Sequence, residues 1–205
     1  VTPFAAFGCW DAATRRPCAP RYVLVVSMDN LISNLANALY SVAREEDAFL
    51  RELAGQGIFF VPELAFSYMC GKSVMQKRRE IFGDSDVKWK REERIGKVGP
   101  TDLIFELENG FRIAIEFKLR DTASAYTADL RKLSNLDDGR TVRLFCALID
   151  VFAKDLPGDA RISAIENFSE AQVEPVIKPE SFITVQDWYK SQVHCVFGVW
   201  RVSSN

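Results

Sequence analysis

The sequence is poor in the residues that several common catalytic sites require. It contains a single histidine, His194, which excludes a two-histidine metal site and leaves little basis for a Ser-His-Asp triad. Its five cysteines are odd in number and form no C-x-x-C pair, which argues against a disulfide framework or a zinc ribbon and favours a reducing compartment. By elimination, acids and lysines must carry any catalysis.

Long apolar runs are also missing. No run approaches the roughly 18 residues that a membrane-spanning helix needs, so we expect a cytoplasmic protein with no membrane partner. With 205 residues, 48% of them hydrophobic, the chain is long enough to bury a core. We expect a single domain over residues 28–205, with its core at about 58–152 and a C-terminal elaboration at 153–205.

Residues 1–27 differ from the rest of the chain. They contain scattered prolines and an Arg-Arg pair, and the apolar run at residues 22–26 is too short for a secretory signal. Met28 directly precedes residues suited to begin a helix. We therefore expect residues 1–27 to be a poorly ordered or non-native extension, with Met28 as the hypothetical native start.

Net charge is only −2, but the charge is unevenly distributed. Residues 72–97 hold nine basic and five acidic residues, whereas residues 150–187 hold eight acidic and three basic ones. A basic segment of this kind fits a localised contact with phosphates. The alternative is that these charges cover solvated faces of helices and strands.

Residues 100–120 alternate between apolar and charged side chains, which is typical of half-buried strands. The odd positions are apolar: Leu103, Phe105, Leu107, Phe111, Ile113, Ile115, Phe117 and Leu119. A two-residue Asn-Gly turn would place odd residues opposite even ones, so the pattern requires a loop of odd length. We predict a hairpin with loop Glu108-Asn109-Gly110, in which Gly110 is left-handed.

In this register, paired positions sum to 218, which places Asp102 opposite Glu116 and Lys118 two residues further along the same face. Carboxylates on directly opposed strand positions repel each other unless something compensates their charge. A divalent cation such as Mg²⁺ or Mn²⁺ would do so, and a neighbouring lysine could orient a metal-bound water. The plainer alternative is a solvated sheet face with ordinary surface charges.

The arrangement of Pro100-Thr101-Asp102, followed by Glu116-Phe117-Lys118 at the end of an apolar strand, resembles the PD-(D/E)xK motif of restriction-endonuclease-like nucleases. The resemblance covers roughly residues 62–150 and departs from the motif at Thr101. It implies an α/β fold with a mixed central β-sheet flanked by helices, an αβββαβ core and a C-terminal elaboration. It also implies that Asp102, Glu116 and the Phe117 backbone carbonyl bind Mg²⁺, for which Mn²⁺ can substitute, and that Lys118 is the catalytic lysine.

In such nucleases, a glutamate on the helix before the strands often faces the metal, and Glu63 is the candidate here. The competing explanation is that an acid in a first helical turn is favoured by the helix dipole alone. The alternative candidates are Glu45, Glu46, Glu52 and Glu80.

The resemblance predicts a deoxyribonuclease that hydrolyses phosphodiester bonds, with DNA favoured over RNA. The expected nucleic-acid contacts are Lys88, Lys90, Arg91, Arg131 and Lys132. Two alternatives stay open: a catalytically inactive nucleic-acid-binding module and a protein-interaction domain that retains the same fold. Many such enzymes form homodimers, although the sequence identifies no dimer surface.

Four local predictions concern the remaining chain. Asp29 or Asn30 should cap a first helix that Gly55 ends, and Gly71 should interrupt a second helix, with Ser73 capping its continuation. Residues 185–190 should form a short helix. Trp188 and Tyr189 are expected in the core, and the alternative is that they belong to a base-stacking platform.

Overall fold

The computed structural model describes residues 27–136 and 138–204 and shows a mixed α/β protein. Five α-helices are present in these ranges: α1 (Met28–Ala54), α2 (Glu63–Gln76), α3 (Arg78–Phe82), α4 (Ala123–Ser134) and α5 (Ala160–Glu166). Six strands accompany them: β1 (Val87–Arg94), β2 (Pro100–Leu107), β3 (Arg112–Leu119), β4 (Thr141–Phe152), β5 (Gln172–Thr184) and β6 (Val193–Ser203). The predicted N-terminal extension, apart from Ser27, lies outside the described residues.

The six strands form one sheet in the order β1-β2-β3-β4-β6-β5. Only β3 and β4 pair in parallel among the described strands, because α4 crosses over between them and returns the chain in the same direction. The predicted mixed central sheet with flanking helices is confirmed. The C-terminal elaboration extends this sheet with β6 and β5.

The hairpin of β2 and β3 has the predicted register. Leu103 pairs with Ile115 and Phe105 with Ile113, so each pair sums to 218. Gly110 has φ 78°, and its amide donates to the Leu107 carbonyl, which confirms the three-residue loop with a left-handed glycine.

Two apolar layers enclose the sheet. The odd positions of β2 and β3, such as Phe105 and Ile115, pack with α1, α2 and α3. The even positions are apolar only in part: Ile104 and Ala114 pack with α4 and α5. The charged face predicted for the hairpin is therefore restricted to its ends, because α4 covers its centre.

The first helix begins earlier than predicted. Ser27 is its cap, since its hydroxyl accepts a hydrogen bond from the Asn30 amide, so neither Asp29 nor Asn30 has that role. Gly55, with φ 65°, ends the helix as predicted.

Gly71 does not interrupt the second helix, and that prediction is wrong. α2 continues through Gly71 and Ser73 to Gln76, and the break follows at Lys77. The glycine is needed for packing instead: a Cβ at this position would lie 2.5 Å from the Trp89 ring.

The helix predicted at residues 185–190 is absent, and the segment is a loop between β5 and β6. Side chains fix this loop: the Gln186 amide nitrogen donates to the Gly57 carbonyl, and the Tyr189 hydroxyl donates to Asp150. Trp188 is 48% exposed, which corrects its assignment to the core. No helix in the described ranges combines the length and apolar character needed to cross a membrane.

Candidate active site

The predicted acids and lysine meet at one edge of the sheet, where β2 begins and β3 ends. α2 begins at this edge with Glu63, and α4 covers the β3 side with Asp129 and Lys132. We call the group formed by Glu63, Asp102, Glu116, Lys118, Asp129 and Lys132 the β3 acid site. Helix α2, the sheet and helix α4 thus all contribute residues to the site, so its geometry depends on how these three layers pack.

Asp102 is held by the end of β3. Its Oδ2 accepts a hydrogen bond of 2.8 Å from the Phe117 amide, and the last regular pair of the β2–β3 ladder is Leu103 with Ile115. The expected pairing of Asp102 with Glu116 is therefore replaced by a side-chain contact. Burial raises the pKa of Asp102, although the Phe117 amide opposes this shift.

Glu116 is almost fully enclosed, with 3% of the residue exposed. It lies on the α4 side of the sheet, where its Oε1 is 2.7 Å from Lys132 Nζ. Burial and then the nearby Asp102 raise the pKa of Glu116 to about 8, against the opposing effect of Lys132. Because of this raised pKa, Glu116 retains its proton at neutral pH.

Lys118 is positioned by two carboxylates. Its Nζ lies 3.1 Å from Asp129 Oδ2 and 3.5 Å from Glu63 Oε1. Burial acts to lower the pKa of Lys118, but Asp129 and Glu63 outweigh it and raise the pKa overall. The lysine is therefore a fixed cation beside the acid pair.

Glu63 contacts the end of β3 rather than the two acids directly. Its Oε2 accepts a hydrogen bond of 3.0 Å from the Leu119 amide, while its Oε1 faces Lys118. Burial raises the pKa of Glu63. With both oxygens engaged in this way, Glu63 supports Lys118 and the strand end.

Asp129 is the site residue that sequence reasoning missed. On α4, Tyr126, Leu130 and Leu133 are buried against the sheet, and Asp129 and Lys132 flank this apolar stripe three residues apart. The spacing was visible in the sequence, but the side of the sheet that α4 covers was not. Lys132, predicted only as a nucleic-acid contact, pairs with Glu116 and also donates to the Pro100 carbonyl.

The other predicted nucleic-acid contacts occupy different surroundings. Lys90 pairs with Glu93 and Glu106 on β1 and β2, and Arg131 pairs with Glu170 through a hydrogen bond of 2.7 Å from its Nε. Arg91 lies over the Tyr68 ring at 5.4 Å, and Lys88 is exposed. These charges do not converge on one point, and their contact with nucleic acid stays a prediction.

The donor set of the site is compatible with Mg²⁺. Burial raises the pKa values of the half-buried Asp102 and the buried Glu116, and hard carboxylate oxygens suit this ion. No group of three or more His, Cys, Asp or Glu side chains able to hold a metal occurs within residues 27–136 and 138–204. Asp102 and Glu116 would therefore need help from the Phe117 carbonyl and water, and Mg²⁺ is commonly bound through only one or two carboxylates.

A second charged group lies at the same sheet edge, at the end of β4. Arg161 contacts Asp150 Oδ1 at 2.6 Å and Asp159 Oδ2 at 2.8 Å, and Tyr189 donates to the other Asp150 oxygen. We call Asp150, Asp159, Arg161 and Tyr189 the β4 ion network. Burial acts to raise the pKa of Asp159, but hydrogen bonds from Arg161 outweigh it and lower the pKa overall.

Comparisons of the chain with protein-family models, curated proteins and solved structures find no match. The function must therefore be argued from the site's own geometry and charges. The β3 acid site is the better candidate for chemistry, because burial raises the pKa values of its acids Asp102 and Glu116, whereas hydrogen bonds from Arg161 lower the pKa of Asp159 in the β4 ion network.

Proposed function

We propose that this protein is a metal-dependent nuclease of the PD-(D/E)xK type that hydrolyses phosphodiester bonds in DNA. The observation that carries the proposal is the convergence of the half-buried Asp102 and the buried Glu116 with Lys118 at one sheet edge. An acid pair with a raised pKa next to a fixed lysine costs folding free energy, so a cluster of this kind is more typical of a functional site than of a structural one.

The order of elements supports the same class. Residues 63–152 run through α2, α3, β1, β2, β3, α4 and β4, which is compatible with the αβββαβ core that the motif implies. Within this core, the Asp102 and Glu116-Phe117-Lys118 segments lie on adjacent strands, as the resemblance requires. The order of the elements and the motif both support the proposal.

In this proposal, Asp102, Glu116 and the Phe117 carbonyl would hold Mg²⁺ or Mn²⁺, which would supply a water of lowered pKa and neutralise charge on the phosphate. Lys118 orients the attacking water and stabilises the charge that develops on the phosphate oxygens. Glu63 and Asp129 hold the Lys118 ammonium in place. Binding of the cation requires Glu116 to release its proton.

DNA is the proposed substrate because phosphate contacts by lysine and arginine supply most non-specific affinity. Lys88 and Arg91 on β1 are available near β2, on which Asp102 lies. Arg131 and Lys90 would have to exchange their present carboxylate partners for phosphates.

A second candidate is a nucleic-acid-binding module without turnover. Lys132 favours it, since its ammonium already lies 2.7 Å from Glu116 and supplies part of the positive charge that a metal would bring. In such a module, binding to DNA would survive Asp102→Ala, and no divalent ion would give cleavage.

The test is cleavage of supercoiled plasmid and end-labelled single strands in Mg²⁺, Mn²⁺ or EDTA. The wild type should cut in the metals and not in EDTA, and Lys118→Ala should lose about a hundredfold or more of the rate, because it removes charge stabilisation at the phosphate. Lys178→Ala, on β5, is the matched control and should cut like the wild type.

Circular dichroism of each variant separates loss of chemistry from loss of fold. Metal-independent cutting, or equal cutting by Lys118→Ala and the wild type, would contradict the nuclease proposal. Absence of cutting by well-folded wild type, together with salt-sensitive DNA binding, would favour the binding module.

A further inference from the structure

The loop between β5 and β6 lies at the same sheet edge as the β3 acid site. Val193, at the start of β6, pairs with Phe152 at the end of β4, and Thr184 at the end of β5 pairs with Val193. Since β4 runs parallel to β3, the ends of both strands and this loop are neighbours. Residues 185–192 are therefore placed beside the end of β4, at the same sheet edge as the end of β3, which carries Lys118.

The loop is anchored on both sides of an exposed tryptophan. Gln186 is buried and donates to the Gly57 carbonyl, and Tyr189 donates to Asp150 and packs edge-on against Phe152. Trp188, between these anchors, is 48% exposed. An aromatic side chain held outward by fixed neighbours presents a rigid apolar surface to solvent.

Arg120 contacts this tryptophan and comes two residues after Lys118 of the β3 acid site. Its guanidinium lies 4.8 Å from the centre of the Trp188 ring, and the residue itself is exposed. Arg120 has φ 48°, an uncommon backbone conformation for a side chain of this size, at the point where the chain leaves β3. It follows Lys118 by two residues, which corresponds to about 7 Å along a strand.

An arginine stacked on an exposed tryptophan is suited to bind single-stranded nucleic acid. Unpaired bases stack on aromatic rings and on arginine planes, and arginine also contacts the adjoining phosphate. Bases inside a duplex are already stacked and paired, so their faces are not free for such contacts. The pair thus distinguishes single strands from duplexes.

We propose that Trp188 and Arg120 form a subsite for an unpaired nucleotide next to the scissile phosphate, so that the substrate is single-stranded DNA or the unpaired end of a duplex. This assignment rests on the proposed nuclease function for the position of the scissile phosphate. The stacking contact itself does not require cleavage.

The experiment measures binding in EDTA, where metal-dependent cutting cannot interfere. Fluorescein-labelled oligothymidylate of about twelve nucleotides is compared with a duplex of equal length, since single-strand sites span about 4–16 nucleotides. Trp188→Ala should lose about tenfold in single-strand affinity, as expected for one lost stacking contact, with duplex affinity unchanged. Trp188→Phe should retain most of the affinity.

Phe49→Ala is the matched control, because Phe49 is a 56% exposed aromatic residue on α1. It should leave both affinities unchanged. Replacing single thymidines of the probe by abasic sites should reveal one position whose loss has no additional effect in Trp188→Ala. That non-additivity identifies the stacked base.

The outcomes separate the subsite from the nuclease. If Lys118-dependent cleavage is present but Trp188→Ala binds single strands like the wild type, the subsite is wrong and the nuclease stands. If Trp188→Ala weakens single-strand binding while no metal gives cleavage, the stacking contact stands and the nuclease is wrong. Equal losses for single strands and duplexes would overturn the subsite.

Discussion

The β3 acid site and the β4 ion network lie at the same edge of one sheet and use the same residue types in different ways. In the β4 ion network, a single arginine reaches both Asp150 and Asp159 at hydrogen-bonding distance, and the pKa of Asp159 is lowered. In the β3 acid site, the pKa of Glu116 is raised to about 8, chiefly by burial, despite a lysine at 2.7 Å. Each group has two acids for every cation, so the groups differ in the deeper burial of Glu116, which is 3% exposed, and in the hydrogen bonds that Arg161 and Tyr189 donate to the β4 acids.

This contrast shows how a structural cluster can be separated from a functional one without relatives to compare. A buried carboxylate whose charge and hydrogen bonds are satisfied costs the folded chain little, whereas one with a raised pKa costs folding free energy, which is more typical of a functional group. Binding of a cation is the function proposed here.

The largest expected effect is on catalysis. Glu116→Gln should reduce the cleavage rate by about a hundredfold or more, because it removes one of the two carboxylates proposed to bind the metal. Asp150→Asn, in the β4 ion network, should retain the rate per folded molecule. Equal losses in the two variants, measured on plasmid in Mg²⁺ after correction for folded fraction, would erase the distinction between the groups.

The next effect is on stability. Arg161→Met should lower the free energy of unfolding by about 3 kcal/mol, because it leaves two largely buried aspartates without their partner. Urea denaturation measures the change, and the rate of cleavage by the folded fraction should persist. Arg131→Met is the matched control: its pair with Glu170 is about half exposed on both sides and should contribute little.

The pH dependence of stability should have opposite signs for Glu116, whose pKa is raised, and Asp159, whose pKa is lowered. Folded Glu116 keeps its proton up to about pH 8, whereas its ordinary pKa is 4.5, so unfolding releases a proton between these values. The free energy of unfolding should therefore fall as pH rises through this window in EDTA, and Glu116→Gln should remove that decline. A steeper decline in the variant would contradict the raised pKa.

The smallest effect concerns the position of Lys118. Asp129→Asn removes the carboxylate 3.1 Å from Lys118 Nζ and should reduce the cleavage rate about tenfold, as for other supporting contacts around an active site. Because Asp129 raises the pKa of Lys118, the alkaline limit of activity should move to lower pH. An unchanged pH profile with reduced activity would mean that Asp129 acts only on stability.

Much of the fold follows from local patterns of apolar and polar residues in the sequence. The alternation in residues 100–120 fixed the register of β2 and β3, since a shift by one residue would expose the apolar face. Predictions failed where packing between distant residues decides the outcome. Gly71 continues a helix because Trp89 needs its space, and residues 185–190 form a loop because Gln186 and Tyr189 bind groups far along the chain.

The candidate site could likewise be predicted where its contacts lie within one hairpin, but not where they join distant elements. The approach of Asp102, Glu116 and Lys118 could be predicted from strand register alone, because all three lie on one hairpin. The roles of Asp129 and Lys132 could not, since they depend on which side of the sheet α4 covers. Contacts that join elements remote in sequence leave no local pattern.

The most direct measurement is anomalous diffraction from crystals soaked in Mn²⁺. We expect one strong peak beside the carboxylates of Asp102 and Glu116, lost in Glu116→Gln, and no peak at the β4 ion network. A peak between Asp150 and Asp159, or no peak near Asp102 at saturating Mn²⁺, would contradict the proposal that the β3 acid site binds a catalytic metal.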